Sequence, residues 1–179
     1  MKLDEVCNKN DEMYTPPYAV KPILEFLKPN SFIWMPFDTD ESWFKKCFLA
    51  AGHEVGNNHI FDGHDFFELT PPRGIDYIIS NPPYSKKNEV FERLFKLDIP
   101  FAMLVGVVGL FESKHRFNLF KNNKFEILYF DKRINFMDDM NATKTTKSPP
   151  FSSAYLCHNI LPEQIMFREL NKPKLGAIL

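Results

Sequence analysis

Hydrophobic positions along the 179-residue chain fall into short blocks whose spacing alternates between helical and extended periods. Ala19–Leu27 puts Val20, Ile23, Leu24 and Leu27 on one helical face, and Lys28, Pro29 and Asn30 stop it. Ser31–Met35 reads as a short buried strand. Glu41–Ala51 reads as a helix, with Asp40 or Ser42 as its N-cap and Gly52 as its end. His53–Val55 and Ile75–Ser80 are further strands, and Lys87–Leu97 is a helix with Val90, Leu94 and Leu97 on one face. Pro100–Leu110 contains the most apolar run, which suits a central strand covered on both sides. Phe111–Asn122 reads as a helix, Phe125–Asp131 and Ser152–Ile160 as strands, and Glu163–Leu170 as a short helix.

Strands and helices alternate, which predicts an α/β fold: a doubly wound, mostly parallel sheet. Residues 1–179 form one domain. Residues 1–13 are polar and read as an N-terminal arm. Tyr14–Tyr18 is a stiff extended stretch, because a residue before proline is pushed out of the helical region. Residues 134–150 form a long polar loop, a candidate substrate loop with Asn135, Asn141, Lys144 and Lys147 available for polar contacts. In doubly wound sheets ligands bind beyond the C-terminal strand ends. The Pro36–Asp40 loop and the Asn81–Tyr84 turn both fall there.

Composition narrows the picture in three ways. The net charge of -1 lacks the basic surplus of a dedicated nucleic-acid binder, so any such contact must use local runs such as Lys86–Lys87 or Lys132–Arg133. The three cysteines are far apart in sequence and form neither a metal motif nor a disulfide framework. The polar, acidic start and the lack of a long apolar run predict a cytoplasmic protein with no membrane association and no metal. The 19 phenylalanines are mostly core filling.

Asn81-Pro82-Pro83-Tyr84 follows an apolar strand directly and carries the chemistry. The exocyclic amine of adenine is a poor nucleophile, because its lone pair is delocalised into the ring. Two acceptors aimed at the amine hydrogens localise that lone pair. The Asn81 side-chain oxygen is one, and the Pro82 carbonyl is the other. The prolines fix the backbone and remove competing N–H donors, and the Tyr84 ring stacks on the base. The electrophile must be a methyl sulfonium, for which S-adenosyl-L-methionine is the usual source.

Asp76–Ser85 resembles motif IV of the amino-methyltransferases. The chain as a whole resembles the small phage and prophage S-adenosylmethionine-dependent DNA N6-adenine methyltransferases, through residues 11–17, 34–42, 63–67 and 76–86, and more loosely through 133–136 and 147–155. That resemblance implies a Rossmann-like class I methyltransferase fold, with Asn81, Pro82, Pro83 and Tyr84 catalytic. It implies a cofactor pocket of Tyr14, Thr15, Pro16, Pro36, Phe37, Asp38, Asp65, Phe66 and Asn81, in which Asp65 and Phe66 hold the adenine ring of the cofactor. It implies substrate contacts from Tyr84, Lys86, Arg133 and Phe136, with Phe136 holding the flipped base. Two departures stand out. The loop after the first strand has no glycine, and either Glu54 or Asn57 would have to bind the cofactor ribose. DNA adenine is the first substrate expectation. RNA adenine, protein glutamine, and a non-catalytic binding protein on the same fold are the alternatives.

Overall fold

The computed structural model describes residues 13–137 and 149–173. Its core is one seven-stranded sheet. The strands are β1 (Phe32–Met35), β2 (Glu54–Asn57), β3 (Tyr77–Ser80), β4 (Phe101–Gly106), β5 (Glu126–Phe130), β6 (Ser153–His158) and β7 (Ile165–Arg168). Their spatial order is β2-β1-β3-β4-β6-β5-β7. The sheet is mixed, because β6 is inserted antiparallel between β4 and β5, whereas the remaining neighbours pair in parallel.

Helices α1 (Pro17–Leu24) and α2 (Trp43–Ala50) cover one face; α3 (Lys87–Leu97) and α4 (Lys114–Asn122) cover the other. The first face buries Ile33, Met35, Ile79, Leu104 and Tyr155 against Val20, Ile23, Phe44 and Phe48. The second buries Trp34, Ile78, Phe101, Met103 and Val105 against Val90, Phe91, Leu94 and Phe120. Strand residues alternate between the two clusters, as the two-residue period requires, and β3 and β4 are buried throughout. The expected two-sided covering of the central strands is therefore observed.

The C-terminal segment differs from expectation. Ile165–Arg168 is a strand rather than part of a helix, paired in parallel with β5 from Ile127↔Ile165 to Phe130↔Arg168. A short apolar run suits either element. Here the open edge of β5 supplies hydrogen bonds for an extended chain. Among the described residues no helix is long and apolar enough to cross a membrane.

Candidate active site

The strand order reverses at β1. From β1 the chain passes through α2 to β2 on one side, then returns to lay β3 on the other. Loops leaving β1 and β3 therefore diverge at the C-terminal edge, the usual ligand position in such sheets. Pro36–Asp38 leaves β1 there, and Asn81–Tyr84 leaves β3. The N-terminal segment closes the edge: Tyr14 and Met137 exchange backbone hydrogen bonds at 3.3 and 2.9 Å. The Tyr18 hydroxyl donates to the Asn135 carbonyl and accepts from the Asn135 N–H.

Asn81 is held by this segment. Its Nδ2 donates to the carbonyl of Met13 at 2.9 Å. A carbonyl only accepts, so the amide cannot be turned the other way. Its Oδ1 is left buried with no hydrogen-bond partner. Thr15 Oγ1, two residues beyond Met13, is also buried without a partner. Buried polar atoms are nearly always satisfied, so two orphans at one edge point to a ligand that satisfies them. Pro82 is buried, and Pro83 accepts through its carbonyl from the Lys86 N–H at 3.1 Å, closing a short 3-10 turn over Tyr84–Lys86.

Asp38 is a brace. Only 8% exposed, its carboxylate accepts from the Ser42 hydroxyl at 2.5 Å and from the Ser80 hydroxyl. Ser42 also caps α2 by accepting from the Phe44 N–H at 3.1 Å. The loop after β1 is thus tied to the residue immediately before Asn81. Burial pushes the Asp38 carboxyl up to about 6, against the two serine hydrogen bonds that favour its charged form. Both carboxylate oxygens of Asp38, a residue that the resemblance places in the cofactor pocket, are engaged within the protein.

The aromatic side of the site is Tyr84 with Phe151, whose ring centroids lie 5.7 Å apart. Lys87 Nζ stands 4.9 Å from the Tyr84 ring centroid. Both rings press on the end of β4 at Gly106, where a Cβ would come within 2.9 Å of Phe151 and 3.4 Å of Tyr84.

Two of the aromatic residues expected at the site are buried in the core. Phe136 has 0% exposure and sits in the core between the sheet and α1, so its ring offers no surface to a base. Phe66, at 2% exposure, packs against Trp34 and against Phe37 at 4.8 Å, under the Arg93 guanidinium. Its place is beneath Phe37, which is itself half-buried. Asp65 is half-buried and spends Oδ1 on the Phe67 N–H at 2.9 Å, which shapes that turn. Arg93 fixes the same loop through the Phe67 and Leu69 carbonyls.

Met13–Pro16, Pro36–Asp38 and Asn81–Tyr84 therefore meet at one edge, and Phe66 reaches it through Phe37. Lys86 and Arg133 are exposed. Asn141, Lys144 and Lys147 of the candidate substrate loop lie outside the described residues. Asn57 donates through Nδ2 to the Asp38 carbonyl at 3.2 Å, whereas Glu54 is exposed on β2. Among the described residues no three His, Cys, Asp or Glu side chains are grouped as metal ligands.

Sequence reasoning missed Ser80, Gly106, Phe151 and the Met13 carbonyl. Only Gly106 carried a signal, since a glycine ending an apolar strand often marks close approach by a neighbour. Neither a family model nor a curated protein matches the chain.

Proposed function

We propose that the chain is an S-adenosylmethionine-dependent N6-adenine methyltransferase acting on nucleic acid, with DNA as the first substrate class. The observation that carries this reading is the Asn81 amide, pinned through Nδ2 to Met13 with Oδ1 buried and unpartnered. A preorganised acceptor of this kind strengthens its bond to an amine as positive charge develops there, which is how a site lowers a barrier rather than merely binding. Asn81 Oδ1 takes one amine hydrogen and the Pro82 carbonyl the other, so the lone pair points away from both. The proton lost afterwards passes to water, and no strong base is needed. Tyr84 and Phe151 supply aromatic surface for the base.

The side chains at the ends of β1 and β3 suit the cofactor in chemical terms. The orphan Thr15 hydroxyl, the half-buried Phe37 ring and the carboxylate of Asp65 would hold it. When bound, it supplies an electrophilic methyl group. Asp38 does not join that set, because its carboxylate already serves Ser42 and Ser80. The two-sided sheet with its switch at β1 is compatible with the Rossmann-like class I methyltransferase architecture.

The test is incubation with methyl-labelled cofactor and separate pools of DNA, RNA and protein, followed by mass spectrometry of the nucleosides. Label in N6-methyladenine from DNA is expected. Label in RNA adenine or in protein glutamine would reassign the substrate. A protein that stabilises on adding cofactor but labels nothing would be a binding protein.

A further inference from the structure

Strand β3 is held unevenly at the end that carries Asn81. Its ladder with β1 pairs Ile33 with Tyr77 and Trp34 with Ile78, whereas its ladder with β4 runs on to Ser80 opposite Met103. Beyond Ile78 a side chain bridges the β1 side instead: the fully buried Ser80 hydroxyl donates to the Asp38 carboxylate. Asp38 lies in the loop that follows β1 and is itself anchored to α2 through the Ser42 hydroxyl. The bridge therefore sits where the loops leaving β1 and β3 part, one residue before Asn81.

The charge on Asp38 matters to this bridge. An ionised carboxylate accepts from both serine hydroxyls. A protonated one must donate to one of them, which leaves that serine's own hydrogen unpartnered in a buried place. Burial raises the Asp38 carboxyl to about 6, so it is mostly ionised at neutral pH and is met there by two hydroxyls. Around it, burial keeps the Tyr155 hydroxyl of β6 protonated. Asn57 of β2 contributes an uncharged amide to the Asp38 backbone carbonyl. Lys45 of α2 pairs with the exposed Asp40. A buried charge that costs stability is a feature of functional sites.

We propose that Asp38 is a positioning residue for methyl transfer, holding the Asn81 turn in place through Ser80. This rests on the adenine-methyltransferase reading above. Asp38 acts through the Ser80 hydroxyl, and its ionised form is the working one.

The test is the single-turnover rate of adenine methylation at saturating cofactor, measured between about pH 5 and pH 8 for the wild type, Asp38→Asn and Ser80→Ala. The wild-type rate should level off above about 6 and fall as pH drops through that value. Asp38→Asn has no carboxyl to ionise, so its rate should lack this limb. It should lie roughly ten- to a hundredfold below the wild-type plateau, the scale of one hydrogen bond to a charged group. Ser80→Ala disconnects the turn and should lose a similar factor, with the limb flattened. Titration of the base or the cofactor would appear equally in all three proteins. A wild-type rate that stays level through this range overturns the proposal without any variant. So does an Asp38→Asn protein that keeps the limb, or a Ser80→Ala protein that melts lower but methylates at the wild-type rate. In each of these cases adenine is still methylated and the parent reading stands. A wild type that methylates no adenine overturns both.

Discussion

Asn81 and Met13 are joined across 68 positions by one hydrogen bond, from the side-chain amide to a backbone carbonyl. The contact divides the side chain into a nitrogen that anchors the N-terminal segment and an oxygen that faces an unfilled need. Asn81→Ala removes both. Its turnover should fall at least ~100-fold, the scale of deleting one preorganised polar group. Asn81→Asp keeps an acceptor but sets a carboxylate oxygen against the Met13 carbonyl, so it should lose activity and also loosen the N-terminal segment. Limited proteolysis near Met13 alongside single-turnover rates separates the two effects. An Asn81→Ala protein that folds and methylates at the wild-type rate would sink the mechanism.

Asp38 and Ser80 couple the loop after β1 to the Asn81 turn, and the coupling titrates. Burial holds the folded Asp38 carboxyl at about 6, above its ordinary 3.8. The folded state therefore binds this proton more tightly than the unfolded state. That contribution is fully present below the ordinary value and is lost as pH rises to about 6. Above it, the buried charge costs roughly 3 kcal/mol. Asp38→Asn removes the cost, and the rotatable Ser42 and Ser80 hydroxyls can accept from the new amide. Its melting temperature relative to the wild type should therefore climb between pH 4 and pH 7 and then level off. A difference independent of pH would mean that Asp38 binds its proton equally well in the folded and unfolded chain; a difference that kept climbing above pH 7 would mean that it stays uncharged when folded.

Phe136 should behave as a core residue. Its ring is fully buried beside the strand-like pairing of Tyr14 with Met137. Phe136→Ala should cost about 3–5 kcal/mol, on the order of 10 °C in melting temperature for a chain of this size. The substrate KM measured well below the new melting temperature should stay near the wild-type value. A variant with unchanged melting and a raised KM would return Phe136 to the substrate site.

The order of strands and helices was legible because the apolar periods are clean. Val90 and Leu94 mark a helix face, and the run in β4 marks a strand buried on both sides. The Asn81–Tyr84 segment was legible as a turn because two prolines directly follow an apolar strand. Three things were hidden for physical reasons. The Met13 carbonyl is a backbone atom and leaves no mark in residue identity. Ile165–Arg168 is too short for its period to separate strand from helix, and the open edge of β5 decided it. Phe136 and Phe151 are both aromatic residues flanking one polar loop. Only the sheet register reveals that the first turns into the core and the second toward Gly106.

Gly106 and Phe151 should be energetically coupled. Gly106 needs no left-handed backbone, so what excludes a side chain there is space alone: an added Cβ meets the Phe151 ring at 2.9 Å. Gly106→Ala must push Phe151 away, and Tyr84 with it, since the two rings are in contact. Overpacking of this kind costs about 1–3 kcal/mol. Moving a stacking surface by even ~1 Å can cost on the order of 100-fold in rate. Phe151→Ala clears the space and gives up the ring. In the Phe151→Ala background the added methyl should therefore be tolerated, and the stability cost of Gly106→Ala should largely disappear. Melting curves of the four proteins in the cycle measure this directly, with a coupling of roughly 1–3 kcal/mol expected for residues in contact. Activity should not recover in the double variant, because the base would still lack its second aromatic surface. Strictly additive stabilities would show that Phe151 does not lie against Gly106, and would remove it from the site.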